Sequence, residues 1–200
     1  QVMQEGHRLR FFRYAFFSGI VGGVLFAVGG FRAPYQILLE IPIIWFGVLF
    51  GIGRAFASLM LAYSGKIRVS VKHIHTLYRY KLMLYTILFL LLGLVSTWWV
   101  VAGVFILINA FHWGLSQVGS GYLLDIIKES KFKATLLSTQ AQINELVGAA
   151  ASLGLGFFIA HSSYRLGFFA LGLIFIVFLL PLYVFIIRSK KETRVTELAQ

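Results

Sequence analysis

Arg54, Asn109, His112, Ser116, Gln142 and Glu145 each stand inside sequence that is otherwise apolar. A polar group in such surroundings needs a partner or water, so each marks either a packing contact or a functional pathway. Arg54 and Glu145 carry formal charge. Each lies about eleven or twelve residues into its apolar stretch, roughly 16–18 Å along a helix, and too deep for the head to reach the surface easily. The two stretches are entered from opposite sides, so the charges reach similar depth. An Arg54–Glu145 contact, direct or through water, is therefore geometrically open, as a buried pair that fixes packing or as a substrate or proton site. Histidine changes charge near neutral pH, which makes His112 a candidate proton carrier; the alternative is a hydrogen bond to a neighbouring helix.

Spacing groups these residues further. At 100° per residue, Ser138, Gln142, Glu145, Ala149 and Ser152 share an arc of roughly 80°, a polar-to-small stripe suited to a water-filled cavity. Asn109, His112, Ser116 and Ser120 share a face of another segment, beside Trp113 and Gln117. Gly148, Ser152 and Gly156 are spaced for close helix packing. In residues 66–81, His73 and His75 sit among five cations and read as part of a solvated basic loop, not a metal site. No cofactor is expected.

The elements that carry these groups follow from composition. The chain of 200 residues is 59% apolar, 16% aromatic and 12% charged. A soluble domain has about a quarter charged residues and under half apolar ones. There is no cysteine, hence no disulfide framework, zinc ribbon or thiol nucleophile. The chain begins at Gln1 rather than Met and reads as a piece of something longer.

A membrane span needs about 20 apolar residues. Residues 82–124 carry no formal charge and as one helix would reach ~65 Å, about twice the hydrocarbon core. They must fold back, at Ser96-Thr97-Trp98-Trp99. The resulting expectation is an all-α membrane protein with six transmembrane helices, over 11–31, 41–65, 82–97, 99–126, 134–160 and 165–187. Residues 66–81 are expected to be a basic cytoplasmic loop and 188–200 a cytoplasmic tail. Gly29-Gly30 and Pro34 predict that the first helix unwinds at its outer end. Gly114, Gly119 and Gly121 predict a bend or break in the fourth.

Of the 18 lysines and arginines, all but Arg32, Arg54 and Arg165 fall in segments on one side of this topology. Arg32 and Arg165 fall in outer loops. This is a positive-inside signature with both termini cytoplasmic in the cell membrane. It accounts for the net charge of +11 through anionic lipid headgroups and not nucleic acid. The first three helices and the last three run in opposite senses, as two inverted three-helix repeats, the pattern of secondary transporters.

The second half resembles the carboxy-terminal half of a major facilitator superfamily transporter. The residues are Phe132-Lys133-Ala134-Thr135-Leu136-Leu137-Ser138, the small residues from Gly148 to Gly156, and Tyr164-Arg165-Leu166-Gly167. The stretch Phe31-Arg32-Ala33-Pro34-Tyr35-Gln36, with Ile41-Pro42, is similar to the family's seventh-to-eighth helix junction. Ala62 to Arg68 echoes the family's basic gating loop without its Asp, and His161-Ser162-Ser163 stands where an acidic residue often precedes the arginine. The resemblance implies helices seven to twelve of a twelve-helix protein, with a missing six-helix half in front. It implies alternating access between the halves and proton-coupled efflux or uptake of a small molecule. It also implies that the first and fourth helices line the cavity, the second and fifth face the missing half, and the third and sixth face lipid.

No covalent chemistry is expected. The alternative of a different class is a stand-alone six-helix substrate-capture subunit of an ATP-driven importer. An intramembrane serine protease built on Ser120 and His161 fails, because these residues fall at opposite ends of their helices and a hydroxyl and its base must approach within about 3 Å.

Overall fold

The computed structural model describes the backbone of residues 1–198 and the side chains of residues 1–188. The described residues form eight helices: α1 (Val2–Arg8), α2 (Phe11–Leu38), α3 (Ile44–Ala62), α4 (Ser64–Val71), α5 (Ile74–Leu94), α6 (Trp98–Ile126), α7 (Lys133–His161) and α8 (Tyr164–Leu198). Six of them, α2, α3, α5, α6, α7 and α8 through Arg188, are long and apolar enough to cross a membrane. The chain is an all-α, multi-pass membrane protein.

Several boundaries differ from expectation for physical reasons. Residues 66–81 are mostly helix, not loop: α4 takes the first part, and α5 begins at Ile74. Counting spans from the last charge misplaced that start. The buried stripe of α5 runs through Leu77, Tyr78, Lys81, Tyr85, Leu88 and Leu92, and the helical period passes straight through Lys81. The end of α2 that carries Gly29, Gly30 and Pro34 does not unwind; the helix continues through Pro34 to Leu38. Tyr35 holds it by stacking on Tyr164 at 5.0 Å and 3°. Arg32 therefore lies inside a span and not in a loop. Likewise α6 is unbroken through Gly114, Gly119 and Gly121. The hairpin between α5 and α6 falls at 95–97, as the length argument required, with Trp98 and Trp99 exposed beside it.

The most extensive interfaces are α2 with α7, α5 with α8, and α3 with α6. Exchanging the first three spans for the last three maps α2–α7 onto α6–α3 and returns α5–α8 to itself. The two halves are thus interleaved, each contributing to the other's packing. Without a hydrophobic drive between helices in lipid, close approach needs small residues, and each interface has them. A Cβ on Gly23 of α2 would fall 2.7 Å from the Gly148 nitrogen of α7. One on Gly114 of α6 would fall 2.6 Å from Met60 of α3, and one on Gly93 of α5 would fall 2.8 Å from Phe169 Cα of α8. Gly148 thus performs the packing role expected of it.

Burial is uneven. Only 11% of the spans of α3 and of α7 is buried, against 56% for α5. The third span, expected to face lipid, is instead the most enclosed, because α8 and α6 both pack on it. At the cation-rich end, Arg68 of α4 forms an ion pair with Asp125 of α6 and lies over the Tyr122 ring, whose hydroxyl donates to the Arg68 carbonyl at 3.1 Å. At the opposite end, Arg165 donates to the Gly93 and Leu94 carbonyls at 3.3 and 3.1 Å. That satisfies the free carbonyls and negative end of α5.

Candidate functional site

Two clefts open between α2, α6 and their neighbours. The one nearer the cation-poor end has a volume of about 600 Å³ and is lined by α2 from Leu25 to Pro34, by Phe50 and Arg54 of α3, and by Asn109, His112 and Trp113 of α6. The other, about 250 Å³, lies toward the cation-rich end among Ser18, Lys81, Tyr85, Ser116, Gln140 and Asn144. Both are lined by Leu25 and His112. A histidine thus stands where the two clefts adjoin, near the middle of the spans.

The helical faces account for this placement. Asn109, His112, Ser116 and Ser120 fall on one side of α6, and the structure brings all four to the clefts, Asn109 to the larger and Ser116 and Ser120 to the smaller. Ser116 Oγ also donates to the Trp113 carbonyl at 2.7 Å, which turns it partly back on its own helix. Asn109 sits over Gly53, where a Cβ would fall 3.0 Å from its Nδ2, so the absence of a side chain makes room for the amide. That Nδ2 is buried without a hydrogen-bond acceptor.

Arg54 and Glu145 do not meet. The guanidinium of Arg54 lies 4.1 Å from the centre of the Trp113 ring and 5.0 Å from that of Phe50, within the larger cleft. Glu145 and Gln142 are exposed on α7, away from both clefts. The reason is azimuthal: α7 packs on α2 through Ile143, Asn144, Val147 and Gly148, and residues 142 and 145 are turned more than 90° from the centre of that face. Equal depth in two helices says nothing about which way each one faces. Of the expected stripe, only Ser152 lines a cleft.

Two cations in the clefts were not expected there. Lys81 is only 8% exposed and forms no ion pair among the described residues. Its amine passes over Gly119 of α6, where a Cβ would fall 3.3 Å from Nζ. The period of the α5 apolar stripe was the available signal. Arg32 places its guanidinium 4.6 Å from the Phe50 ring centre, with Nε buried and lacking an acceptor. Here the sequence offered no signal, since Gly-Gly followed by Pro read as the end of the helix.

Ser120 lines the smaller cleft, whereas His161 closes the far end of α7, its Nδ1 2.8 Å from the Phe157 carbonyl. No group of three or more metal-binding side chains occurs among the described residues. No protein-family model, curated protein or solved structure matches the chain.

Proposed function

We propose that the chain is the carboxy-terminal half of a secondary active transporter of the major facilitator type. It works by alternating access, moving a small molecule across the cell membrane with the proton as coupling ion. The observation that carries this reading is the pair of clefts that adjoin at His112, one reaching toward each end of the bundle. A transporter needs a mid-membrane site approached alternately from the two sides, and polar groups at that depth are costly unless they serve such a path.

Two further features support it. The interleaved packing of the two three-helix units agrees with an inverted repeat, in which binding sites lie at the repeat interface. The two least buried spans, α3 and α7, carry Arg54, Glu145 and Gln142. A second six-helix half covering that side would remove these groups from lipid and complete the larger cleft. In this arrangement Asn109 and Arg54 contact substrate. His112, with Ser116 beside it, belongs to the proton path, and Glu145 and Gln142 face the other half. The cation-rich end and both termini are cytoplasmic, as the positive-inside rule places them.

The test is proton flux. The full-length protein is reconstituted in proteoliposomes enclosing a pH-sensitive dye, and substrates are screened for driven acidification or alkalinisation. Substrate-dependent flux that Asn109→Ala and His112→Ala abolish is the expected result. Flux unaltered by Glu145→Gln, Asn109→Ala and His112→Ala would overturn the reading. Transport that requires an added ATPase subunit would give the chain to the capture-subunit class instead.

A further inference from the structure

We propose that the larger cleft takes an organic anion with a flat apolar body, its carboxylate or equivalent group held between Arg32 and Arg54. This rests on the reading of that cleft as a substrate site. The lining includes two guanidinium groups and no carboxylate. Neither arginine forms an ion pair among the described residues. Both lie against the same Phe50 ring, at 4.6 and 5.0 Å from its centre, and so within about 10 Å of each other, close enough to repel without full screening.

An aromatic face attracts a cation only weakly. That does not neutralise two charges inside a span, where a charged side chain costs more than this and needs a counter-charge. An anion between the two would supply it. It would also give acceptors to two buried donors that lack them, Arg32 Nε and Asn109 Nδ2. Guanidinium suits this task because its planar fork donates two parallel hydrogen bonds to a carboxylate or phosphate.

The rest of the cleft describes the body of the ligand. Phe31, Phe50, Phe105, Trp113 and Tyr164 contribute aromatic rings, which favour a flat apolar group. The volume of about 600 Å³ falls in the usual range for small-molecule sites. A ligand cation of the same shape would meet two like charges and be rejected.

The experiment compares a matched pair, 2-naphthoate and 2-naphthylmethylammonium, which share a ring system and differ in sign. Affinities are measured by calorimetry on the full-length protein in phosphatidylcholine nanodiscs. Naphthoate is expected to bind and the ammonium not. Arg32→Gln and Arg54→Gln should each weaken naphthoate by about tenfold or more. Arg32→Lys and Arg54→Lys, which keep the charge but lose the fork, should be intermediate and report that the site still folds. No naphthoate binding, equal affinity for the two probes, or unchanged naphthoate affinity in both glutamine variants would overturn the assignment. So would complete loss of naphthoate binding on adding phosphatidylglycerol, which would give the site to an anionic lipid headgroup. Naphthoate binding without transport of any kind would defeat the transporter reading and leave the anion site standing. Transport without naphthoate binding would do the reverse.

Discussion

Arg32 and Arg54, on different helices and 22 positions apart in the sequence, share one aromatic ring: each guanidinium lies against Phe50, 4.6 and 5.0 Å from its centre. Two like charges converge there on neutral aromatic rings inside the spans, Arg54 also lying 4.1 Å from the centre of Trp113. Packing alone does not require this, since a leucine at either position would fill the space without the cost of desolvating a charge. The prediction concerns Phe50 itself. Phe50→Leu should leave the helices assembled, Phe50 being 37% exposed, but should loosen both arginines and weaken naphthoate several-fold. Calorimetry beside a melting curve separates the two effects.

The packing of α2 on α7 yields a sharper stability prediction. A Cβ at Gly23 would fall 2.7 Å from the Gly148 nitrogen and 2.9 Å from Val147 Cβ. The nearer atom is backbone, so no side-chain rotation relieves the clash and the helices must separate. Gly23→Ala should cost about 1–3 kcal/mol and lower the melting temperature in detergent. Gly103→Ala, with nothing within 4 Å of the added carbon, is the control and should be neutral or slightly stabilising. Equal melting temperatures for the two variants would contradict the close crossing.

The Arg68–Asp125 pair joins α4 to α6, but its side chains are 39% and 59% exposed. Solvent screening reduces such pairs to about 0–1 kcal/mol. A double-mutant cycle on Arg68→Gln and Asp125→Asn should therefore give a coupling below about 1 kcal/mol. A larger coupling would mean that the pair is shielded from water, as it would be if another element covered it.

Sidedness is directly measurable because these 200 residues contain no cysteine, so each thiol introduced among them is the only one they carry, with any cysteine elsewhere in the full-length protein first replaced by serine. Lys72→Cys and Lys131→Cys should react with a membrane-impermeant maleimide only from the cytoplasmic side. Ser96→Cys and Ser163→Cys should react only from the other. The reverse pattern would invert the topology, and reaction of all four from one side would reduce the number of spans.

Much of this architecture was legible in the residues. Charge-free lengths locate the six spans, and the helical period places Asn109, His112, Ser116 and Ser120 on one face of α6, the face that lines the clefts. What the period does not fix is the direction in which that face points. Glu145 and Arg54 were matched by depth, yet α7 turns Glu145 outward while Arg54 turns onto Trp113. Charge misled twice in the same way. Lys81 and Arg32 looked like markers of helix ends, although Lys81 sits among apolar residues at helical spacing and Arg32 lies within the continuous helix α2. A cation in a cavity-lining position resembles a cation in a loop until the neighbouring helix is in place.

Lys81 is the residue at which function and stability should part. Its amine lies in the smaller cleft over Gly119, 8% of the residue is exposed, and no carboxylate pairs with it among the described residues. An unpaired charge in a span is costly to hold. Replacing buried ionic groups by apolar ones of similar volume is often neutral or stabilising, by about 1–4 kcal/mol. Methionine has nearly the length of the lysine stem and can follow the same path over Gly119. Lys81→Met should therefore raise the melting temperature, or leave it unchanged. If the amine belongs to the proton path past His112, the same substitution should remove substrate-driven proton flux, while Lys81→Arg keeps the charge and part of the flux. A gain in stability together with a loss of flux is the pattern of a group retained for transport at a cost in stability. If Lys81→Met melts several degrees lower, the amine has an unseen structural partner; if flux survives unchanged, Lys81 lies off the path.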